Sequence, residues 1–219
     1  MSHQTDQPDR RAVLLVDFQA DFTEAHNGAL AVAGTDMAYI NTVITATEAF
    51  AAQGLPIYAT QDWHPSSHMS FVTRHPGANL FDTIEINGRS QILWPVHCVQ
   101  ESAGADILMD DTRFAAIIRK GADPDFDSYS GFADDGGKKT ELDTTLKQAG
   151  ITELLIYGLA TDFCVKFTAL DAIAAGYRVQ LLLDLCRGVT PDATRAATIY
   201  MEEQGAVITK SAPLSASIG

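Results

Sequence analysis

Cys164 lies in the stretch Gly158-Leu-Ala-Thr-Asp-Phe-Cys-Val165, between the apolar run Leu154–Tyr157 and a helix-like segment, 166–175, that Gly176 closes. A cysteine where a strand hands over to a helix meets unpaired backbone N–H groups and the positive end of the helix dipole. Both favour a thiolate over a thiol. The same amides can hold an oxyanion that forms when sulfur attacks a carbonyl. The alternative is a cysteine packed as a small buried hydrophobe. Residues at the ends of other strands bear on the choice.

Asp17 follows the apolar run Ala12–Val16, Asp62 and His64 follow Pro56–Thr60, and Lys120 follows Phe114–Ile118. In an open α/β sheet, ligands bind beyond the carboxyl ends of the strands. Four strands therefore deliver Asp17, Asp62 with His64, Lys120 and Cys164 to one rim. A carboxylate beside Cys164 can take its proton and return it to a leaving amine. A lysine beside both holds the carboxylate and favours the thiolate. A second group is Asp62-x-His64-x3-His68, with His97 in Trp94-Pro-Val-His97-Cys98. Imidazoles with one carboxylate suit zinc, manganese or iron. The same histidines also suit polar filler in a loop, and spacing alone does not separate the two readings.

These residues need a scaffold, and the pattern supplies one. Short apolar runs at 12–16, 56–60, 114–118, 154–157, 178–183 and 207–209 read as buried strands. Helical spacing follows Asp36 through Ala52, with further helices over 140–149, 166–175 and 191–204, the last opened by Thr190-Pro191. Alternating strands and helices predict a single-domain α/β fold, three layers deep, around a mainly parallel sheet. Residues 1–10 read as a disordered lead-in and 11–219 as the one domain. From Asp62 to about residue 112 the chain reads as a long aromatic-bearing loop, and such loops are usually functional.

Composition narrows the classes. The 219 residues carry a net charge of −13, which argues against nucleic-acid and anionic-membrane surfaces. No apolar run approaches the length of a membrane span, and the first residues lack the apolar stretch of a signal peptide. Cys98, Cys164 and Cys186 show no pairing pattern, which suggests a reducing, cytoplasmic setting.

With these residues in view, the chain resembles the nicotinamidase (pyrazinamidase) branch of the isochorismatase-like cysteine hydrolases across nearly all of residues 11–210. The motifs are Val16-Asp-Phe-Gln-Ala-Asp-Phe22, Gln61-Asp-Trp-His-Pro-Ser-Ser-His-Met-Ser-Phe71, Leu93-Trp-Pro-Val-His-Cys98, Ile118-Arg-Lys-Gly121, Asp127-Ser-Tyr-Ser-Gly-Phe132 and Gly158-Leu-Ala-Thr-Asp-Phe-Cys164. The Asp-Trp-His loop with Trp-Pro-x-His-Cys is the most specific of them. The resemblance implies a catalytic triad of Asp17, Lys120 and Cys164. It implies one divalent transition metal, zinc first, held by Asp62, His64, His68 and His97 with waters and contacting the substrate's pyridine nitrogen. It also implies a cis peptide at Leu159–Ala160, an oxyanion hole from the amides of Ala160 and Cys164, and a ring pocket of Phe22, Trp94, Tyr129 and Leu159. Asn27, where relatives often have glycine, tolerates a left-handed backbone.

The implied activity is hydrolysis of nicotinamide to nicotinate and ammonia through a cysteine thioester, with pyrazinamide as a further substrate. The partner is then a small molecule, with no nucleic acid and no membrane, and a homo-oligomer is left open. Rival readings are another family amidase, acting on a carbamoyl or ureido compound, and a nucleotide-binding or regulatory module. The module lacks either common Gly-rich phosphate loop.

Overall fold

Among the described residues six strands form one parallel sheet, because their runs are apolar on both faces. They are β1 (Arg11–Val16), β2 (Ile57–Asp62), β5 (Ala116–Lys120), β6 (Glu153–Gly158), β7 (Arg178–Leu182) and β8 (Val207–Thr209), in the spatial order β5-β2-β1-β6-β7-β8. Ala12 to Val16 are completely buried, and so are Leu154, Ile156 and Tyr157. This computed structural model describes residues 10–86 and 88–211. The expected disordered lead-in lies, apart from Arg10, outside the described residues. Among the described residues no helix is long and apolar enough to cross a membrane.

Among the described residues four helices cover the sheet: α1 (Met37–Ala52), α2 (Leu142–Gln148), α3 (Lys166–Ala174) and α4 (Pro191–Glu203). Asp36 caps α1 by accepting from the Tyr39 N–H at 2.9 Å, and Thr190 caps α4 by accepting from Ala193 at 3.1 Å. α1 buries Tyr39, Ile40, Val43, Thr47 and Phe50, one helical face. The chain moves from β1 outward to β2 but from β6 the other way to β7. Right-handed crossovers therefore put α1 on one face and α2, α3 and α4 on the other. The direction reverses between adjacent β1 and β6, and ligands bind at such a point.

The strand ends differ from the sequence reading at two places that matter. β2 continues to Asp62 and β5 runs 116–120, pairing Gln61 with Arg119 and Asp62 with Lys120. Charged residues read as strand terminators, but here Asp62 and Lys120 neutralise each other inside the sheet. The expected long loop after Asp62 also contains an antiparallel hairpin, β3 (Thr83–Ile86) with β4 (Arg89–Ile92). Its period-two alternation is short and half-exposed, a weak signal beside the surrounding Gly, Pro and Asn.

Candidate active site

Asp17 sits at the first position past β1 with φ 45°, a left-handed conformation uncommon for a residue with a side chain. Across the reversal point, Gly158 ends β6 with φ 131°, and a Cβ there would stand 2.1 Å from the Val16 carbonyl oxygen. Only glycine lets β6 approach β1 this closely, and the Leu159 N–H then donates to Val16 O at 2.9 Å. The Leu159–Ala160 peptide is cis. A turn over Thr161–Val165, kinked at Phe163 (φ −123°, ψ −105°), precedes α3 and carries Cys164. The Ala160 N–H has no acceptor among the described residues.

Lys120 ties the two carboxylates and the thiol together. Its Nζ lies 2.9 Å from Asp17 Oδ2, 2.5 Å from Asp62 Oδ1, 2.8 Å from the Ser128 carbonyl and 3.6 Å from Cys164 Sγ. A carboxylate oxygen of Asp17, one of Asp62 and Cys164 Sγ fall within 4.8 Å of one another. Asp17 Oδ1 accepts from the Thr60 hydroxyl at 2.6 Å, while Oδ2 accepts no well-aligned hydrogen bond. That oxygen is the natural receiver for a thiol proton.

Burial sets the charges. Burial works against the Lys120 ammonium, but Asp17 and Asp62 outweigh it and keep the lysine charged well above its ordinary range. Burial raises Asp17, opposed by Lys120 and reinforced by Asp62. Asp62 is also opposed by burial, yet Lys120 and then His64 hold it below the carboxylate range. Burial pushes the Cys164 thiol well up; Lys120 opposes this, and Asp17 and Asp62 add to it. The expectation of a depressed thiol pKa is therefore corrected: a helix terminus and one lysine do not offset full burial beside two carboxylates.

Asp62, His64 and His97 bring one carboxylate oxygen and two ring nitrogens within 4.8 Å of one another, all buried. The Nδ1–H of His64 donates to the Gly121 carbonyl at 2.9 Å and that of His97 to the Pro95 carbonyl at 2.8 Å. Each Nε2 is left with its lone pair, the tautomer a metal requires. Gly121 is part of this: a Cβ there would stand 2.4 Å from the His64 ring. Burial works against a charged His64, but Asp62 raises its pKa. Burial and then His64 lower His97 to about 4. The donor set fits a divalent ion with coordination positions to spare.

His68 is not brought into that set. Its ring packs 4.3 Å from His64, but Nδ1 faces the Ser70 hydroxyl at 2.8 Å and Nε2 faces the Phe126 carbonyl at 3.1 Å. Both nitrogens already have partners. Leu159 likewise stays out of the pocket: its side chain is fully buried in the core and is not among the residues lining the cavity beside Cys164.

The cluster opens onto a cavity of about 390 Å³ that Cys164, Ala160, Asp62, His64 and His97 line together. Phe22, Trp94, Tyr129 and Phe163 supply aromatic walls. Trp94 Nε1–H donates to the Tyr129 hydroxyl at 3.1 Å, and Trp94 meets Phe163 edge-on at 5.2 Å. The size and apolar lining suit a small aromatic ring. A larger hollow of about 760 Å³ beside β5, lined by Gln61, Trp63 and Arg119 among others, gathers no cysteine or histidine. Sequence reasoning gave no role to Thr60, Gln19, Gln91 or Asp127. Gln19 takes the Asp62 N–H on its side-chain oxygen at 2.8 Å. Asp127, buried in the cavity wall, had one signal: an acid set among Phe126, Tyr129 and Phe132.

Comparison with known proteins agrees across the chain. The family model for the isochorismatase domain matches residues 11–213. A nicotinamidase of Escherichia coli is 43% identical over 90% of this chain and 92% of its own length. A solved Acinetobacter baumanii nicotinamidase–pyrazinamidase superposes with a TM-score of 0.84 at 38% identity, covering 95% of this chain and 99% of that one. A pyrazinamidase of Pyrococcus horikoshii, solved in complex with zinc, gives 0.77 at 36% identity over 92% and 99%.

Proposed function

The chain belongs to the isochorismatase family, and from that premise we infer that it is a nicotinamidase, hydrolysing nicotinamide to nicotinate and ammonia and accepting pyrazinamide. The observation that carries this reading is one cavity lined by a cysteine backed by Asp17 and Lys120 and by a buried Asp–His–His set. A carbamoyl or ureido amidase has no use for the second group.

In the proposed mechanism the carboxamide sits between Trp94, Tyr129 and Phe22 with its carbon facing Cys164. Cys164 Sγ forms a bond to that carbon while its proton passes to Asp17, so the anion need never exist free in the buried site. The amides of Ala160 and Cys164 receive the oxyanion. As the C–N bond breaks, Asp17 returns the proton to the leaving nitrogen, and ammonia departs. Asp17 then deprotonates a water that attacks the thioester carbon, and the sulfur leaves and recovers the proton. Lys120 keeps Asp17 in place and ionised. Asp62 Oδ2 and the Nε2 atoms of His64 and His97 would hold a divalent ion, zinc first and manganese or iron as alternatives, which supplies a Lewis acid for the ring nitrogen. His68 then braces His64 and is not a ligand. The acidic composition and three free cysteines support a cytoplasmic setting.

The test is ammonia release from nicotinamide by the purified protein, with and without a chelator. Robust release that the chelator suppresses is expected. No release from nicotinamide or pyrazinamide would overturn the assignment.

A further inference from the structure

Asp162, in the same turn as Cys164, is 5% exposed and belongs to no ion pair among the described residues. Its Oδ1 accepts from the Val189 N–H at 3.0 Å, and its Oδ2 accepts no hydrogen bond. A buried carboxylate with one neutral donor is costly, so stability alone does not account for it. Val189 stands just before Thr190, the cap of α4, and the carboxylate thus sits at the positive end of that helix. The bond it accepts is charge-assisted, roughly twice as strong as a neutral one. Gly188 lets the loop come this close: a Cβ there would stand 2.0 Å from Thr194 Oγ1 and 3.1 Å from Asp162 Oδ1.

What the loop brings to the turn is the Arg187 carbonyl, which accepts from the Thr161 N–H at 2.9 Å. On the other side, the Leu159 N–H donates to the Val16 carbonyl at 2.9 Å. The Ala160 N–H between them is therefore aimed by a bond on either flank. Val16 is fixed by the sheet, whereas Arg187 lies in a loop and needs anchors of its own. One is its side chain, whose Nε donates to the Gly34 carbonyl at 3.2 Å; the other is the bond from Val189 to Asp162. Resting on the acyl-transfer reading above, we infer that Asp162 is a positioning residue for the oxyanion. Through Val189 and the Arg187 carbonyl it fixes the direction of the Ala160 N–H, and so serves the transition state rather than substrate binding.

The experiment measures turnover of nicotinamide and inhibition by two ligands, nicotinate and pyridine-3-carbaldehyde. Nicotinate fills the pocket without a tetrahedral centre. The aldehyde makes one: Cys164 Sγ bonds to its carbon, the thiol proton passes to Asp17, and the oxygen becomes an oxyanion with no group to expel. Asp162→Ala should lower kcat about 10–100-fold, the scale of a misdirected oxyanion donor. Aldehyde inhibition should weaken by the same factor, while KM and nicotinate inhibition change little. Asp162→Asn keeps the Oδ1 acceptor and should recover most of the loss. Gly188→Ala lifts the same loop with Asp162 in place and should show the same pairing, which decides the matter if Asp162→Ala does not fold. Parent-like kcat and aldehyde inhibition in Asp162→Ala or, failing that, in Gly188→Ala would overturn the inference and leave the acyl-transfer reading intact. Equal weakening of nicotinate and aldehyde would also overturn it, because Asp162 would then merely pack the turn. A parent that neither releases ammonia nor binds the aldehyde would overturn the acyl-transfer reading itself.

Discussion

Burial, and then Asp17 and Asp62 against Lys120, favour the neutral thiol of Cys164, so its reactivity lies in where its proton can go. It is 8% exposed and opens onto the cavity, while Cys98 and Cys186 are 0% and 4% exposed and are not among the residues that line it. Iodoacetamide should therefore modify Cys164 first through access, with activity lost in step and nicotinate slowing the loss. The rate should still be climbing above pH 8; a plateau below pH 7, or Cys98 or Cys186 mapped first, would contradict the proton accounting. Asp17→Asn and Lys120→Met should each cut kcat by at least about 10²-fold, with circular dichroism unchanged. A finer test uses Thr60, whose hydroxyl lowers the Asp17 pKa. Asp17 acts ionised, so kcat/KM falls as pH drops through its pKa. Removing the donor in Thr60→Val raises that pKa and should move the acid limb to higher pH. A limb that stays in place would take Asp17 out of the role of base. Asp17, Lys120 and Cys164 were legible because each follows an apolar run that reads as a strand. Thr60 and Asp127 were not, since their partners come from segments remote in the chain.

At the scale of elements, the site depends on how β1 and β6 meet. Their register pairs Val16 with Gly158, so the chain leaves both strands at one level and sets Asp17 against the Cys164 turn. Gly158→Ala would force a Cβ into the Val16 carbonyl. We expect a loss of about 2–5 kcal/mol in urea unfolding and a collapse of activity; a variant with parent stability and turnover would refute the close-approach argument. The parallel strands and the helices between them were readable from alternation, because parallel strands buried on both faces advertise themselves, while their spatial order was not. The hairpin was not. Thr83–Ile86 alternates over four residues and earns its place by delivering Gln91 to Asp127, a contact that no local pattern announces.

The whole molecule carries a net charge of −13 around a pocket that admits a neutral amide and releases an anionic acid. Long-range steering acts on charge, so kcat/KM for nicotinamide should be nearly flat with ionic strength. Inhibition by nicotinate should tighten as salt screens the repulsion. Product inhibition weakening with salt would show that local contacts dominate the field. The depth of the site has a further consequence. Asp17 and Lys120 are 0% and 2% exposed, and Cys164, which lines the cavity, lies between them and substrate. Ammonia leaves and water arrives through the same cavity, the one onto which Cys164 opens. Whichever small nucleophile stands next receives the acyl group. Hydroxylamine added to the reaction should divert part of the acid to hydroxamate, and the diverted fraction then measures how long the acyl-enzyme waits for water.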